Sequence, residues 1–328
     1  LPITNGGYNS SEYYMTNMNI CETETSGLEL ALNTRNIVTK DFTWTLNLTF
    51  TWNKEKITRL ATPDAEYVTN GDNGLVLMKG EAVNSWYHYK LNGVWKTSEA
   101  ADAAVFGAKP GDLKIDVPGM IHNGEGSYSK WVERENSETG EIERVLETYT
   151  AENPYVISSN DYQVLGHKNP DWTMGFKNTF TYKNFDLSIY LYWRWGQTIK
   201  YDMLGNYDPT GAKNFPTYFD YWTQETGDQD HYFPALNSSR DITTYTGYYA
   251  LSYVDGSFFK IKNITLGYTL PQKWAKSVGI ENFRVYATIT NPLVIQKSDL
   301  LKNYDPEMDG GIDYPLTKQF VFGVNLTF

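Results

Sequence analysis

Two clusters in this chain set flat aromatic rings beside polar groups: Trp86, Tyr87 and Tyr89, then Tyr218, Tyr221 and Trp222 with Asp220 and Asp230. Such rings stack on sugar faces or against a partner protein, and neighbouring carboxylates can hydrogen-bond what the rings hold. The same rings can equally pack long loops against one another. Catalytic patterns are missing. His88, His122, His167 and His231 have no His-x-x-His or His-Glu-x-x-His spacing, so zinc chemistry has no ligand set. Glycoside hydrolysis needs two carboxylates across a cleft, but Glu133, Glu135 and Glu138 sit in a charged run in which Thr139-Gly140 reads as a solvated hairpin tip. There is no Gly-x-Ser-x-Gly elbow and no phosphate-binding glycine loop. The one cysteine, Cys21, excludes an internal disulfide framework and a Cys-rich metal site. The reading is a binding protein, not an enzyme, with no cofactor.

The elements that would carry these loops announce themselves by period-two alternation. In residues 42–52, Phe42, Trp44, Leu46, Leu48, Phe50 and Trp52 alternate with Thr or Asn. Aromatics stand at both ends of that apolar face and leucines in the middle, the order expected of a strand crossing a bilayer, whose interfaces favour aromatic rings. Residues 27–36, 172–182, 185–195, 258–270, 283–290 and 320–328 repeat the alternation, most weakly in 258–270. Seven such strands of ~10–12 residues match the length that a tilted barrel strand needs. The opposite face carries Thr, Asn and Ser with Glu29, Arg35, Asp186, Tyr190, Arg194 and Arg284, as a polar lumen would. Connections at 37–41, 183–184 and 271–281 are short, the last with a possible helical turn at 272–277. Those at about 53–171, 196–257 and 292–317 are long and polar. Short turns on one side and long loops on the other describe an outer-membrane barrel with extracellular long loops.

Composition agrees. The chain is 16% aromatic and 41% hydrophobic, yet its mean hydropathy is −0.50. No run of ~18 apolar residues could form a spanning helix. With 28 basic and 39 acidic residues, a net charge of −11 argues against nucleic acid as a partner. The alternative is a soluble β-sandwich or a non-transporting surface β-protein, an adhesin or glycan-binding module. It leaves the ordered aromatic ends and the Thr/Asn-rich second face unexplained. Seven strands are an odd number, and an open edge in lipid leaves backbone groups unpaired. The expectation is therefore an all-β transmembrane antiparallel barrel of which residues 1–328 supply the C-terminal part, starting in a loop at 1–25.

Several runs carry a family resemblance: residues 27–36, 41–50, 107–112, 169–172, 180–188, 196–198, 252–271 and 304–307, the run ending at Pro271 being the most specific. With these, the chain resembles the C-terminal part of a SusC/RagA-like TonB-dependent transporter of the Gram-negative outer membrane. The resemblance implies a 22-stranded barrel closed by an N-terminal plug, with plug and N-terminal strands outside this chain. It also implies a SusD-like surface lipoprotein as lid, and import of oligosaccharides or peptides energised by TonB with ExbB and ExbD. Trp86, Tyr87, Tyr221, Trp222, Asp220 and Asp230 in the loops, with Tyr190 and Arg194 on the inner face, are the substrate-binding candidates. Phe328, with Leu326 and Val324 at alternating positions before it, is similar to the signal read by the barrel-assembly machinery. One departure bears on metal binding. Related sequences often place a calcium-loop-like segment after the Pro-Gly-Asp run, whereas here an insertion parts Asp112 and Asp116 from Asp161. A hard cation needs several oxygens in a compact loop, so no metal is expected at these three acids.

Overall fold

The computed structural model describes residues 21–61, 65–69, 74–136, 140–205, 216–236, 246–277 and 279–328. The chain opens with a long hairpin, β1 (Cys21–Val38) and β2 (Phe42–Leu60). The first long connection carries β3 (Tyr67–Thr69), β4 (Leu75–Met78), β5 (Ser85–His88), β6 (Lys90–Val94) and a short helix α1 (Ala100–Val105). It continues with β7 (Leu113–Asp116), β8 (Met120–Gly124), β9 (Ser127–Glu135), β10 (Ile142–Tyr149) and β11 (Gln163–His167). A second hairpin, β12 (Trp172–Tyr182) and β13 (Phe185–Trp195), leads to β14 (Thr198–Lys200), helix α2 (Asp202–Gly205) and β15 (Tyr253–Asp255). Then come β16 (Phe258–Thr269), helix α3 (Gln272–Lys276), β17 (Asn282–Gln296) and β18 (Gln319–Thr327).

Among the described residues β1, β2, β12, β13, β16, β17 and β18 form one seven-stranded sheet in that order, every pair antiparallel. These are the strands read from alternation, and β12 and β13 match that reading residue for residue. Strand β1 starts at Cys21, inside the stretch expected to be loop, while residues 1–20 lie outside the described residues.

The register lines the outward side chains into rows. Trp52, Trp172 and Trp195 stand directly opposite one another at one end, above Phe50, Met174, Trp193 and Phe259. Phe42, Tyr182, Phe185 and Tyr268 form the row at the other end. Between them run Leu48, Phe176, Leu191 and Ile261, then Leu46, Asn178, Ile189, Ile264 and Ile289. Ten residues of strand separate Phe42 from Trp52, which at a rise of ~3.3 Å and a tilt of about 45° spans ~23 Å, close to the ~25 Å apolar band of outer-membrane barrels. The one polar residue of those rows is satisfied: the Trp44 indole Nε1 donates to Asn178 Oδ1 at 3.0 Å, and Asn178 is buried.

The weak alternation of 258–270 has a structural cause. Tyr190 pairs with Asn263 but Leu191 with Ile261, so Lys262 is a bulge residue; opposite it β17 skips Asn291 and Pro292. A bulge shifts the alternation by one, and it accommodates a proline that has no N–H for the ladder. Below the bulge Ile264, Leu266 and Tyr268 face outward; above it Phe259 and Ile261 do. Lys260 is thereby turned to the inner side, where it is fully buried.

Both β2 and β17 run past the expected strand ends, to Leu60 and Gln296. Beyond Trp52 the outward positions become Lys54 and Lys56, while inward Ile57 and Leu60 pack with Leu77 of β4. The strand has left lipid for water, and its apolar face has changed sides. The three long connections are not separate loops there. Tyr89, Val94, Leu113 and Ile115 of the first, Ile199, Leu204, Phe219, Phe233, Leu251 and Val254 of the second, and Leu301 and Tyr304 of the third form one buried cluster. Together they make a cap with its own core.

Candidate functional site

The cap is joined to the sheet where the resemblance motifs meet. The Lys260 ammonium donates to Asp305 Oδ2 at 2.5 Å and to Glu307 Oε2 at 2.7 Å, and Lys262 pairs with the other oxygen of Glu307. Burial pushes the Glu307 carboxyl up, but the hydrogen bonds from Lys260 and Lys262 outweigh it and hold the group below the usual carboxylate range. The bulge at Lys262 is what lets both lysines reach one loop. Gly196, at φ 88°, lies so close to Asp171 that a side chain there would meet its carboxylate. Gly196 N donates to Ser257 Oγ at 2.9 Å, and Gln197 Nε2 to Gly256 O at 2.7 Å. These motif residues thus anchor loops to strand ends.

Above this junction lies an aromatic cluster built from distant segments. His88 stacks on Tyr162 at 4.8 Å and meets Tyr89 edge-on at 5.2 Å, with Tyr253 at 5.5 Å and Tyr249 at 6.3 Å. Tyr87 touches Tyr162 at 5.6 Å and Tyr67 at 4.9 Å. Tyr67 and Tyr249 stand open at 38% and 56% exposure, so the cluster presents ring surface to the outside. Burial, then the nearby Lys200 ammonium, pushes His88 down to about 4, which keeps it neutral in the ordinary pH range. Its Nδ1 is buried with no hydrogen-bond partner among the described residues.

The structure sorts the sequence candidates. Tyr87 belongs to this cluster. Trp86, beside it, is buried: its Nε1 donates to Thr198 O at 2.7 Å and its ring packs on Tyr253. Trp222 packs against the cap core and donates to Gly227 O at 3.1 Å, leaving Tyr221 exposed next to it. Asp220 approaches the buried His231 at 3.1 Å, and Asp230 pairs with Lys96 at 2.7 Å. The hydrogen bond from Lys96 holds the Asp230 carboxyl below its ordinary range. The two ring groups foreseen from sequence are therefore separate, and the sequence missed Tyr67, His88, Tyr162, Tyr249 and Tyr253 as one group. Only long-range pairing such as that of β5 with β11 brings these together.

Tyr190 and Arg194 lie on the inner face of β13. Tyr190 leans over Gly175 of β12, where a Cβ would meet its hydroxyl. Arg194 makes no ion pair among the described residues. Lower on that face Arg284 grips Asp186 through Nε at 3.0 Å and Nη2 at 2.6 Å. Thr45, Thr179, Ser188, Thr265 and Thr288 line up across five strands as a row of hydroxyls.

Asp112, Asp116 and Asp161 are engaged apart from one another. Asp112 accepts from Lys109 N, Asp116 pairs with Lys90 at 2.9 Å, and the fully buried Asp161 accepts from Lys130 Nζ at 2.8 Å and Tyr155 hydroxyl at 2.7 Å. Burial and then the bond to Asp161 push the Tyr155 phenol up. Among the described residues no three His, Cys, Asp or Glu side chains gather where they could hold a metal ion. Asp161 instead ties the inserted sheet β8–β9–β10 to the cap. Of that insertion's tip, Gly140 is in a left-handed turn at φ 70°, while Thr139 and Glu138 lie outside the described residues. Val324, Leu326 and Phe328 fall on the outward face of the last strand, strongly exposed.

Outward aromatic rows, an inward polar face, short turns at one end and a folded cap at the other define one wall of an outer-membrane β-barrel. No family model matches the chain. It is similar to TonB-dependent receptor P3 of Formosa agariphila, 27% identical over 94% of this chain, and to TonB-dependent receptor SusC of Bacteroides thetaiotaomicron, 29% identical over 94%. It covers 29% and 27% of those proteins, so the chain spans less than a third of their length. Among solved structures it superposes on the RagAB peptide transporter with a TM-score of 0.68 at 21% identity, over 97% of this chain and 30% of that one. The RagAB peptide importer in its open-open state gives 0.62 at 20% identity. The resemblance carried by the motifs is therefore borne out over nearly the whole chain: it is similar to SusC/RagA-like TonB-dependent receptors, and it is part of a larger outer-membrane barrel.

Proposed function

We propose that this chain is the C-terminal barrel portion of an active importer of oligosaccharides or peptides. In this reading the plug domain and N-terminal strands lie in the rest of the protein, a SusD-like surface lipoprotein covers the cap, and TonB with ExbB and ExbD supplies energy through the plug. The observation that supports it most is the cap. Three long connections share one core and are tied to the inner wall through Lys260, so in this reading one folded body with open tyrosine rings stands at the mouth of the barrel. Tyr67, Tyr87, Tyr162 and Tyr249 would meet the ligand there, Tyr221 at a second point, and Tyr190 and Arg194 on the way through. Trp86 supports the first group by packing on Tyr253, Trp222 packs on the cap core beside Tyr221, and Asp220 and Asp230, exposed beside His231 and Lys96, would offer carboxylates near that second point. Val324, Leu326 and Phe328 would be read by the assembly machinery as the strand enters the membrane.

The test is uptake of labelled oligosaccharides and of labelled peptides by cells carrying the full-length protein, with and without an uncoupler. The expected result is uptake of one class only, abolished by the uncoupler and reduced about ten-fold or more when Tyr87 and Tyr249 are both changed to Ala, since each lost stacking ring is worth ~1 kcal/mol. Surface binding without uptake would support the adhesin alternative instead.

A further inference from the structure

The three short turns share a composition that barrel closure does not require. The turn after β1 carries Lys40, the turn between β12 and β13 carries Lys183, and the link after β16 carries Lys273 and Lys276 around Trp274. Every one of these side chains is exposed, Trp274 at 63%. None of the four lysines makes an ion pair among the described residues. Among the described residues of the three turns the acidic side chains are Asp41 and Glu281, and Asp186 at the start of β13 is paired with Arg284, so four unpaired lysines face two turn carboxylates in a chain of net charge −11. At the cap end many lysines are paired, Lys90, Lys96, Lys114, Lys130, Lys168, Lys200 and Lys297 each with a carboxylate within 3.6 Å, while Lys54, Lys56, Lys302 and Lys318 make no ion pair among the described residues and serve below as the control.

The position of the four is as telling as their number. They lie just beyond the row Phe42, Tyr182, Phe185 and Tyr268, and the Lys183 ammonium sits 5.4 Å from the Tyr182 ring. Aromatic rows mark the level of lipid headgroups. A flexible stem lets lysine keep its apolar length along the membrane edge and its charge among the phosphates, and clustered lysines at that level attract anionic lipid. We propose that Lys40, Lys183, Lys273 and Lys276, with Trp274, form a collar that binds the anionic headgroups of phospholipids in the leaflet facing the short turns. The collar rests on the membrane-spanning fold but not on what the barrel imports.

The experiment uses the full-length protein, purified in neutral detergent and exposed to equal amounts of phosphatidylglycerol and phosphatidylcholine, with co-purifying lipid counted by mass spectrometry. Wild type is expected to retain phosphatidylglycerol about five-fold or more over phosphatidylcholine. The variant K40Q/K183Q/K273Q/K276Q should lose that preference, and K54Q/K56Q/K302Q/K318Q, altered at the opposite end, should keep it. Should the quadruple variant misassemble, the pairs K40Q/K183Q and K273Q/K276Q are each expected to lose part of the preference while still migrating as folded barrels in unheated gels. Equal retention by wild type and turn variants, or equal loss in both quadruple variants, overturns the collar. Displacement of the retained lipid by inorganic phosphate overturns it too, in favour of a simple anion site. Failure of the wild-type protein to enter bilayers at all would instead overturn the barrel.

Discussion

In the wall the large apolar side chains point away from the chain, and in the cap they point into it. Leu30, Leu266 and Phe322 are 48%, 52% and 82% exposed, whereas Ile199, Phe233 and Leu301 are 0%, 1% and 0%. One strand passes through both regimes: β2 turns Leu46 and Leu48 outward in the membrane and Ile57 and Leu60 inward above it. What differs is the solvent. Lipid is as apolar as leucine, so the wall is held by its hydrogen-bonded ladder and by the absence of unpaired backbone; the cap, in water, is held by burial.

That contrast can be broken most forcefully from the cap side. Phe233 stacks on Phe219 at 4.0 Å inside the core. Phe233→Ala should cost about 3–5 kcal/mol of cap stability, read as faster protease cleavage of the cap while the wall still runs as a folded barrel. Cleavage of wall and cap together would mean that they are one cooperative unit.

Leu46→Arg on the lipid face should cost about 2–4 kcal/mol in denaturant titrations of the full-length protein in bilayers. Arg194→Ala on the inner face should change folding by no more than about 0.5 kcal/mol while altering uptake. Equal folding losses would undo the assignment of faces.

A smaller effect belongs to the joint between the regions. Because its neighbours hold the folded Glu307 carboxyl below the ordinary range, it stabilises the joint above the pKa of the unfolded chain, and that contribution disappears as pH falls through the lower folded value. Glu307→Gln should cost about 1–2 kcal/mol at neutral pH, less than a fully buried pair because water reaches the side chain. It should also remove that acid dependence, measured as cleavage of the 297–318 segment against pH.

The smallest effect at neutral pH is at His88. The folded ring resists protonation until about 4, while the unfolded chain takes a proton near 6.5, so the cap should lose stability as pH falls across that window. His88→Phe should flatten the slope and change little at pH 7; an unchanged slope would place the titration elsewhere.

The wall was legible in proportion to how uniform its surroundings are. Strands β12 and β13 lie in lipid on one side and face the lumen on the other from end to end, so their alternation is complete and their limits were read correctly. The limit of β2 was missed because the strand leaves the membrane, and its outward positions no longer need to be apolar; that of β17 was missed because Asn291 and Pro292 at the bulge interrupt the pattern, although Leu293 and Ile295 beyond them pair with Ile261 and Phe259 of the outward rows. The bulge at Lys262 was visible only as a weakened pattern, since a one-residue shift cancels a period-two signal without marking its own position. Among the site candidates, Tyr87 could be named from its neighbours in the chain. Tyr162 and Tyr249 could not, because nothing local to either residue refers to β5.

The sequence by itself therefore determined which faces of which strands meet lipid, where the membrane begins and ends along them, and which family the chain resembles. All of that depends on spacing within one segment, where each side chain's direction follows from its position in the strand. The tertiary structure alone decided that the loops are a single body, that Trp86 is buried and Trp222 half-buried against the cap core while Tyr67 and Tyr249 are open, and that Lys260 is the buried tie between cap and wall. These depend on contacts between residues far apart in the chain, whose geometry is set by register, bulges and packing rather than by any local pattern.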